Sequence, residues 1–217
     1  MQSTIDFTNI LLSGNYNKAW DYIKSLTHLS TLELYDHIIT PAMHQIGDLW
    51  ENNKITVADE HIATATCDFV ISRLAYEHKQ NVTPATTKKA MFLCLEGEQH
   101  YIGLKMAAQL FEENGWETKY FGPNLPPEYA LQTAIEWEPD VIGLSLTIVT
   151  HLPKLKSYTD SFKALPVPPE ILIGSRLANK YDLTMYSSGN PIIVTDLSDM
   201  ETWLKDYSIG ETKNAMY

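Results

Sequence analysis

Residues 96–103 read Glu-Gly-Glu-Gln-His-Tyr-Ile-Gly and place a carboxylate, Glu98, two positions before an imidazole, His100. A carboxylate at that spacing accepts a hydrogen bond from one ring nitrogen, fixes the tautomer and leaves the other nitrogen to ligate a metal. Gly103 lets a helix pack closely or a bulky group approach the backbone. A single His in such a loop is as readily a solvated or helix-capping residue, so spacing alone leaves both readings open. A second grouping lies upstream. Trp50 is followed after nine residues by Glu60-His61, with Val57 one helical turn before that pair. A lone Trp would otherwise belong to a core, and a Glu in a first helical turn would otherwise serve the helix dipole. Small and hydroxylic residues end two later apolar runs: Ser145-Leu146-Thr147 and Gly174-Ser175. Ser145 would equally satisfy a strand-end backbone group.

The elements that carry these residues change character near position 80. Before it, apolar residues recur at helical spacing, as in Ala19, Tyr22, Ile23 and Leu26. Ser13-Gly14-Asn15 separates the first two helices. Ser30 with Glu33 forms a capping-box pattern, Pro41 predicts a boundary or kink, and Thr56 with Asp59 opens a fourth helix running to about His78. Residues 1–80 therefore predict a four-helix bundle cap. Residues 81–88 are polar with one proline and predict a linker. From Ala90 short apolar strands alternate with helices: 90–95, 118–121, 141–145, 170–173 and 191–194 are the strands, and 197–207 is the last helix. The fold class is α/β: a flavodoxin-like five-stranded parallel sheet of order 2-1-3-4-5 over 89–207, preceded by the helical cap. Residues 208–217 predict a flexible tail. In such a sheet ligands bind beyond the carboxyl ends of the strands, where Glu98, His100, Gly103, Ser145, Thr147 and Gly174 all fall. There is no GxGxxG fingerprint for a dinucleotide.

Composition narrows the function. A net charge of −11, from 16 basic and 27 acidic residues, disfavours direct nucleic-acid binding, which relies on Lys/Arg clusters. No apolar stretch approaches the roughly 20 residues that span a bilayer. No basic-then-apolar leader opens the sequence. The two cysteines, Cys67 and Cys94, read as buried free thiols. The expectation is a cytoplasmic protein without membrane or nucleic-acid contacts.

The motif Glu98-x-His100-x-x-Gly103 resembles the cobalamin-binding motif of B12-dependent proteins. The resemblance implies that His100 is the lower axial ligand to cobalt. It sets Ser145 and Thr147 where that family contacts the buried dimethylbenzimidazole tail, and Gly174 where it has Gly-Gly. Gly174-Ser175 departs from that pair and implies a narrower tail pocket. The string from Pro41 to Trp50 and on through Glu60-His61 resembles the cap of B12-dependent photoreceptors of the CarH type. In that family the signature roofs the upper face of adenosylcobalamin. By that match Trp50 packs on the adenosyl group, Glu60 hydrogen-bonds it, and Val57 and His61 complete the pocket. Two departures stand out. The family has His directly after the Trp, where this chain has Glu51, so a bis-His photoproduct through that position is excluded. The family's MerR-like DNA-binding domain has no counterpart in these residues. The resemblance implies a cobalamin-binding, light-sensing regulatory module. Photolysis of adenosylcobalamin would change conformation, oligomer or partner, the partner being a protein such as a transcriptional regulator, and homo-oligomers are an option. No catalysis is expected. The rival is a corrinoid shuttle for a methyltransferase system. A ligand sensor without photochemistry, one that accepts haem or bilin included, stays open.

Overall fold

We describe residues 2–79 and 87–214 of a computed structural model. The chain divides into two compact units, Met1–Asn81 and Val82–Tyr217.

The first unit is helical. Its elements are α1 (Gln2–Leu12), α2 (Tyr16–Lys24), α3 (Thr31–Leu34), a π-helical turn (Tyr35–Ile39), α4 (Thr40–Glu51) and α5 (Val57–Lys79). The punctuation read from the sequence is physical. Gly14 has φ +64°, and a Cβ there would come within 2.9 Å of Ile62 Cγ2. Asn15 Oδ1 accepts from Lys18 N at 2.9 Å and starts α2. Ser30 and Glu33 cap α3 reciprocally, and Thr56 Oγ1 donates to Asp59 Oδ2 at 2.7 Å at the head of α5. Pro41 marks a change of helix type rather than a break. Thr40 N–H donates to the Tyr35 carbonyl, so the helix widens by one residue just before the proline. The wider turn accommodates a ring that cannot donate to the preceding turn. α3, the π turn and α4 thus form one rod, and the unit is built from four. Its core includes Phe7, Leu11, Tyr35, Ile39, Ile46 and Ile71.

The second unit is α/β. Five parallel strands lie in the order β2-β1-β3-β4-β5. They are β1 (Lys89–Leu95), β2 (Glu117–Leu125), β3 (Val141–Ser145), β4 (Glu170–Gly174) and β5 (Ile192–Val194). The helices are α6 (Ile102–Glu113), α7 (Pro127–Trp137), α8 (Leu152–Lys163) and α9 (Leu197–Asn214). β1 is buried from Ala90 to Leu95, as a central strand covered on both faces must be. This is the flavodoxin-like order expected.

Two expectations need correction. β2 is longer than 118–121, because Gly122 and Pro123 lie in an edge strand. The register passes from Phe92↔Tyr120 to Leu93↔Gly122, so Phe121 is bulged out. An edge strand tolerates a proline because one side needs no donor. The linker expected over 81–88 lies, up to residue 86, outside the described residues; Lys88 Nζ pairs with Asp140 Oδ1 at 2.9 Å and β1 begins at Lys89. The tail from 208 is helical to Asn214, since nothing but Gly210 interrupts α9, and 215–217 lie outside the described residues. No helix among the described residues is long and apolar enough to cross a membrane.

At the sheet centre Phe92 pairs with Gly143 across β1 and β3. A Cβ on Gly143 would approach Phe92 Cδ1 to 2.5 Å, and the Phe92 ring is fully buried against Phe111. Gly143→Ala is expected to cost about 1–3 kcal/mol by overpacking. Urea unfolding would check this, and an unchanged midpoint would contradict it.

Candidate functional site

Beyond the end of β1 the chain turns sharply. Gly97 has φ +87°, and Glu98 N–H donates to the Leu95 carbonyl at 2.9 Å. This turn buries the Glu98 side chain completely. Its two oxygens face two loops. Oε1 accepts from His100 N at 3.0 Å and lies 2.5 Å from His100 Nδ1. Oε2 accepts from Thr147 N at 2.7 Å and from Ile148 N at 3.3 Å. Burial by itself would raise the Glu98 carboxyl. The His100 ring and the Thr147 and His100 amides outweigh it and hold the group well below the usual carboxylate range. A carboxylate only accepts, so Nδ1 of His100 carries the proton. In the neutral ring the lone pair is then on Nε2. The His100 side chain is 60% exposed, and Tyr101, not His100, is the N-cap of α6. The helix-capping reading of His100 therefore falls away.

The other strand-end residues gather on the same edge. Gly103 is exposed in the first turn of α6, and a Cβ there would meet nothing within 4 Å. The chain's own packing gives no reason for glycine at that position. Among the described residues Thr147 Oγ1 is buried without a hydrogen-bond partner. Ser145 pairs with Cys94 across the strands, and the Cys94 thiol donates to the His100 carbonyl at 3.6 Å. Burial, then the nearby Glu98 charge, pushes the Cys94 thiol up to about 12. A Cβ on Gly174 would make only ordinary contacts, with Val194 Cγ2 at 3.9 Å and the Leu144 carbonyl at 4.0 Å. Ser175, the departure noted above, is turned inward. Its hydroxyl donates to the Leu146 carbonyl at 2.6 Å and accepts from Leu177 N at 3.1 Å, tying the loops after β3 and β4 together.

In the helical unit Trp50 ends α4 and Val57, Glu60 and His61 open α5, on either side of the turn 52–56. Trp50 is 48% exposed, which rules out the core reading. Val57 is also exposed. Glu60 is held at both oxygens, by His61 Nδ1 at 2.8 Å and by Thr64 Oγ1 at 2.7 Å. A cleft of about 260 Å³ in this unit is lined by Trp20, Leu34 and Leu74 and rimmed by Lys24 and Glu77; none of the four expected residues lines it.

Three residues escaped the sequence reading. Asn124 Oδ1 accepts from Gly97 N at 2.8 Å, and its own N–H donates to the Glu98 carbonyl at 3.0 Å. It sits at φ +58° just after Gly122-Pro123, and the left-handed tolerance of Asn is the signal that could have found it. Tyr158 Oη accepts from Glu96 N at 2.9 Å and donates to the Leu125 carbonyl at 2.5 Å, clasping the ends of β1 and β2. His151 Nδ1 lies 3.4 Å from Glu98 Oε2. Its only sequence signal is its position in a loop after a strand.

Glu98→Gln would set an amide NH₂ against backbone donors. It is expected to destabilise by about 2–3 kcal/mol near neutral pH. The folded carboxyl lies below its ordinary value of 4.5, so its contribution is complete above that value and declines as pH falls below it. Urea unfolding of both proteins should therefore show the gap narrowing at acid pH; a constant gap would contradict this.

Residues 88–178 match a family model described as a B12 binding domain, and residues 6–75 match a second model so described. Among curated relatives, the HTH-type transcriptional repressor CarH of Myxococcus xanthus is 27% identical over 121 residues, 55% of this chain and 39% of the repressor. Dimethylamine corrinoid protein 1 of Methanosarcina acetivorans is 23% identical over 142 residues, 64% of this chain and 66% of that protein. The chain thus spans less than two thirds of the length of each of these two relatives. The monomethylamine corrinoid protein of Methanosarcina barkeri superposes with a TM-score of 0.75 at 15% identity, covering 94% of this chain and 98% of that one, a likeness of fold. Both units of the chain carry matches to B12 binding domains, and together these findings support a cobalamin-binding protein.

Proposed function

We propose that the chain holds cobalamin with His100 as the lower ligand to cobalt and serves as a light-sensing regulatory module for the adenosyl form. The observation that carries the ligand assignment is the pinning of His100 Nδ1 by the buried Glu98 carboxylate. That bond fixes the tautomer and makes the ring a better donor at Nε2. The donor set favours a macrocycle-held metal. Among the described residues no group of three or more His, Cys, Asp or Glu could hold an ion. A metal ligated by one imidazole needs its other donors from elsewhere, and a corrin supplies four. The exposed face of Gly103 and the orphaned Thr147 hydroxyl fit a large ligand with polar groups at this sheet edge.

Adenosylcobalamin supplies a weak cobalt–carbon bond that light breaks. The chain's part is recognition. By the resemblance, Trp50 and Val57 offer apolar surface to an adenosyl group and Glu60 accepts a hydrogen bond from it. Glu60 is preset for that role, because His61 and Thr64 fix its rotamer. When no adenosyl group is present, Trp50 and Val57 face water, and that difference biases conformation, oligomer or partner choice. The acidic balance favours a protein partner over nucleic acid.

The second reading is a corrinoid-carrying subunit of a methyltransferase system, favoured by the likeness to the dimethylamine corrinoid protein. By the resemblance, Trp50 and Glu60 would crowd the approach of a methyl donor, which weighs against it.

Reconstituted with adenosylcobalamin in darkness, the protein is expected to change its visible spectrum and elution volume under green light. An unchanged spectrum would remove the light-sensing reading and leave the carrier reading standing. Gly103→Ala is expected to stabilise the cofactor-free protein by up to about 1 kcal/mol while weakening cobalamin binding. Equal binding by that variant would show that no ligand approaches the face of α6.

A further inference from the structure

We propose that the helical unit carries a second, separate binding site: the cleft around Trp20, which takes a free α-amino acid with an apolar side chain. The proposal is independent of the cobalamin reading.

Two helix faces and a loop make the cleft. α2 contributes Trp20, Ile23 and Lys24, and α5 contributes Leu74, Glu77 and His78. Each set follows the i, i+3, i+4 spacing that puts residues on one helix face. Leu26 and Leu29 of the loop after α2, with Leu34 of α3, add the rest of the apolar wall. The walls are fixed from behind. Arg73 stacks over the Trp20 ring at 4.4 Å, and Thr31 Oγ1 lies 3.1 Å from His78 Nδ1, joining α3 to α5. Glu77 lies 17 residues beyond Glu60 on α5 (77 − 60), about 25 Å along a helix that rises 1.5 Å per residue. The cleft is therefore distinct from the grouping of Trp50, Val57, Glu60 and His61.

Size and charge select the occupant. The volume of about 260 Å³ falls below the roughly 300–1,000 Å³ of pockets that take drug-sized ligands. The wall is aliphatic and indole. The rim carries one cation and one anion: Lys24 Nζ and Glu77 Oε2 stand 3.3 Å apart, with side chains 53% and 39% exposed. The Lys24 ammonium is also 5.6 Å from the Trp20 ring centroid, so charge adjoins the apolar wall. A simple carboxylic acid would meet repulsion from Glu77, and a simple amine would meet it from Lys24. A molecule with both charges on one carbon complements both, its carboxylate on Lys24 and its ammonium on Glu77. Its side chain then leaves water for Trp20 and the leucines. An exposed ion pair adds little to stability, so parting Lys24 from Glu77 to admit the ligand costs little.

The test follows backbone amide NMR signals of the full chain, with and without adenosylcobalamin in darkness, during titration with L-leucine and L-phenylalanine. Three further probes dissect the charges. 3-Phenylpropionate lacks the ammonium, phenethylamine lacks the carboxylate, and N-acetylphenylalanine amide lacks both and mimics a residue of a protein partner. L-Phenylalanine is expected to shift amides within 20–34 and 74–78, with a Kd on the order of 1 mM or tighter. The acid and the amine are each expected to bind about tenfold more weakly. Lys24→Met should bring L-phenylalanine down to the level of the amine, and Glu77→Gln should bring it down to the level of the acid. Absence of shifts with both amino acids, or shifts confined to other residues, would overturn the proposal. So would acid or amine binding as well as the amino acid. Tighter binding of the doubly blocked compound would assign the cleft to an anchor side chain of a protein partner and overturn it as well. If either variant fails to fold, the ligand series on the wild-type protein decides by the same ranking.

Discussion

A fully buried carboxylate governs the ligand edge of this sheet. Taking an isolated carboxylate out of water costs several kcal/mol, and the group is tolerated only when its lone pairs are met by donors. Glu98 satisfies that condition by drawing backbone and side-chain N–H groups from two separate loops. The loops after β1 and β3 are consequently held to one another through a single charge. The supporting contacts point the same way. Asn124 fastens the turn from the side of β2, Tyr158 clasps the ends of β1 and β2, and Ser175 joins the loops after β3 and β4. The result is an imidazole presented on a rigid base by parts of four strand ends.

Around that rigid base the chain leaves features its own packing does not explain. Gly103 opens onto space, Gly174 has room for a side chain, and the Thr147 hydroxyl is buried without a partner. Each is slightly unfavourable in isolation. Glycine in a helix lacks the preference of alanine, and a buried unpaired hydroxyl forfeits its hydrogen bond. Such features persist where a ligand supplies what the protein omits, and all three lie on the edge where a doubly wound sheet takes its ligands.

Much of this was legible in the residues. Alternating apolar runs and helical spacing gave the strand order, because a parallel sheet with right-handed crossovers admits few topologies. Glu98-x-His100 was readable because the pair is local: the bond closes within two residues. Thr147 and His151 contact Glu98 across some fifty positions, and no local spacing encodes such a meeting. Of these, Thr147 was found through resemblance and His151 was missed. The strand expected at 118–121 was drawn too short for a related reason. Whether a strand lies at an edge, where Gly122-Pro123 can continue it, is decided by its neighbours, which come from elsewhere in the chain.

That same Pro123 has an effect beyond its own strand. β2 pairs with β1 on one side and forms an outer margin of the sheet. An exposed margin is a template on which another extended chain can dock and propagate into fibrils. A ring nitrogen without hydrogen leaves a gap in that template, and the bulge at Phe121 throws the following residues out of step. The outermost strand thus discourages self-association through its own backbone.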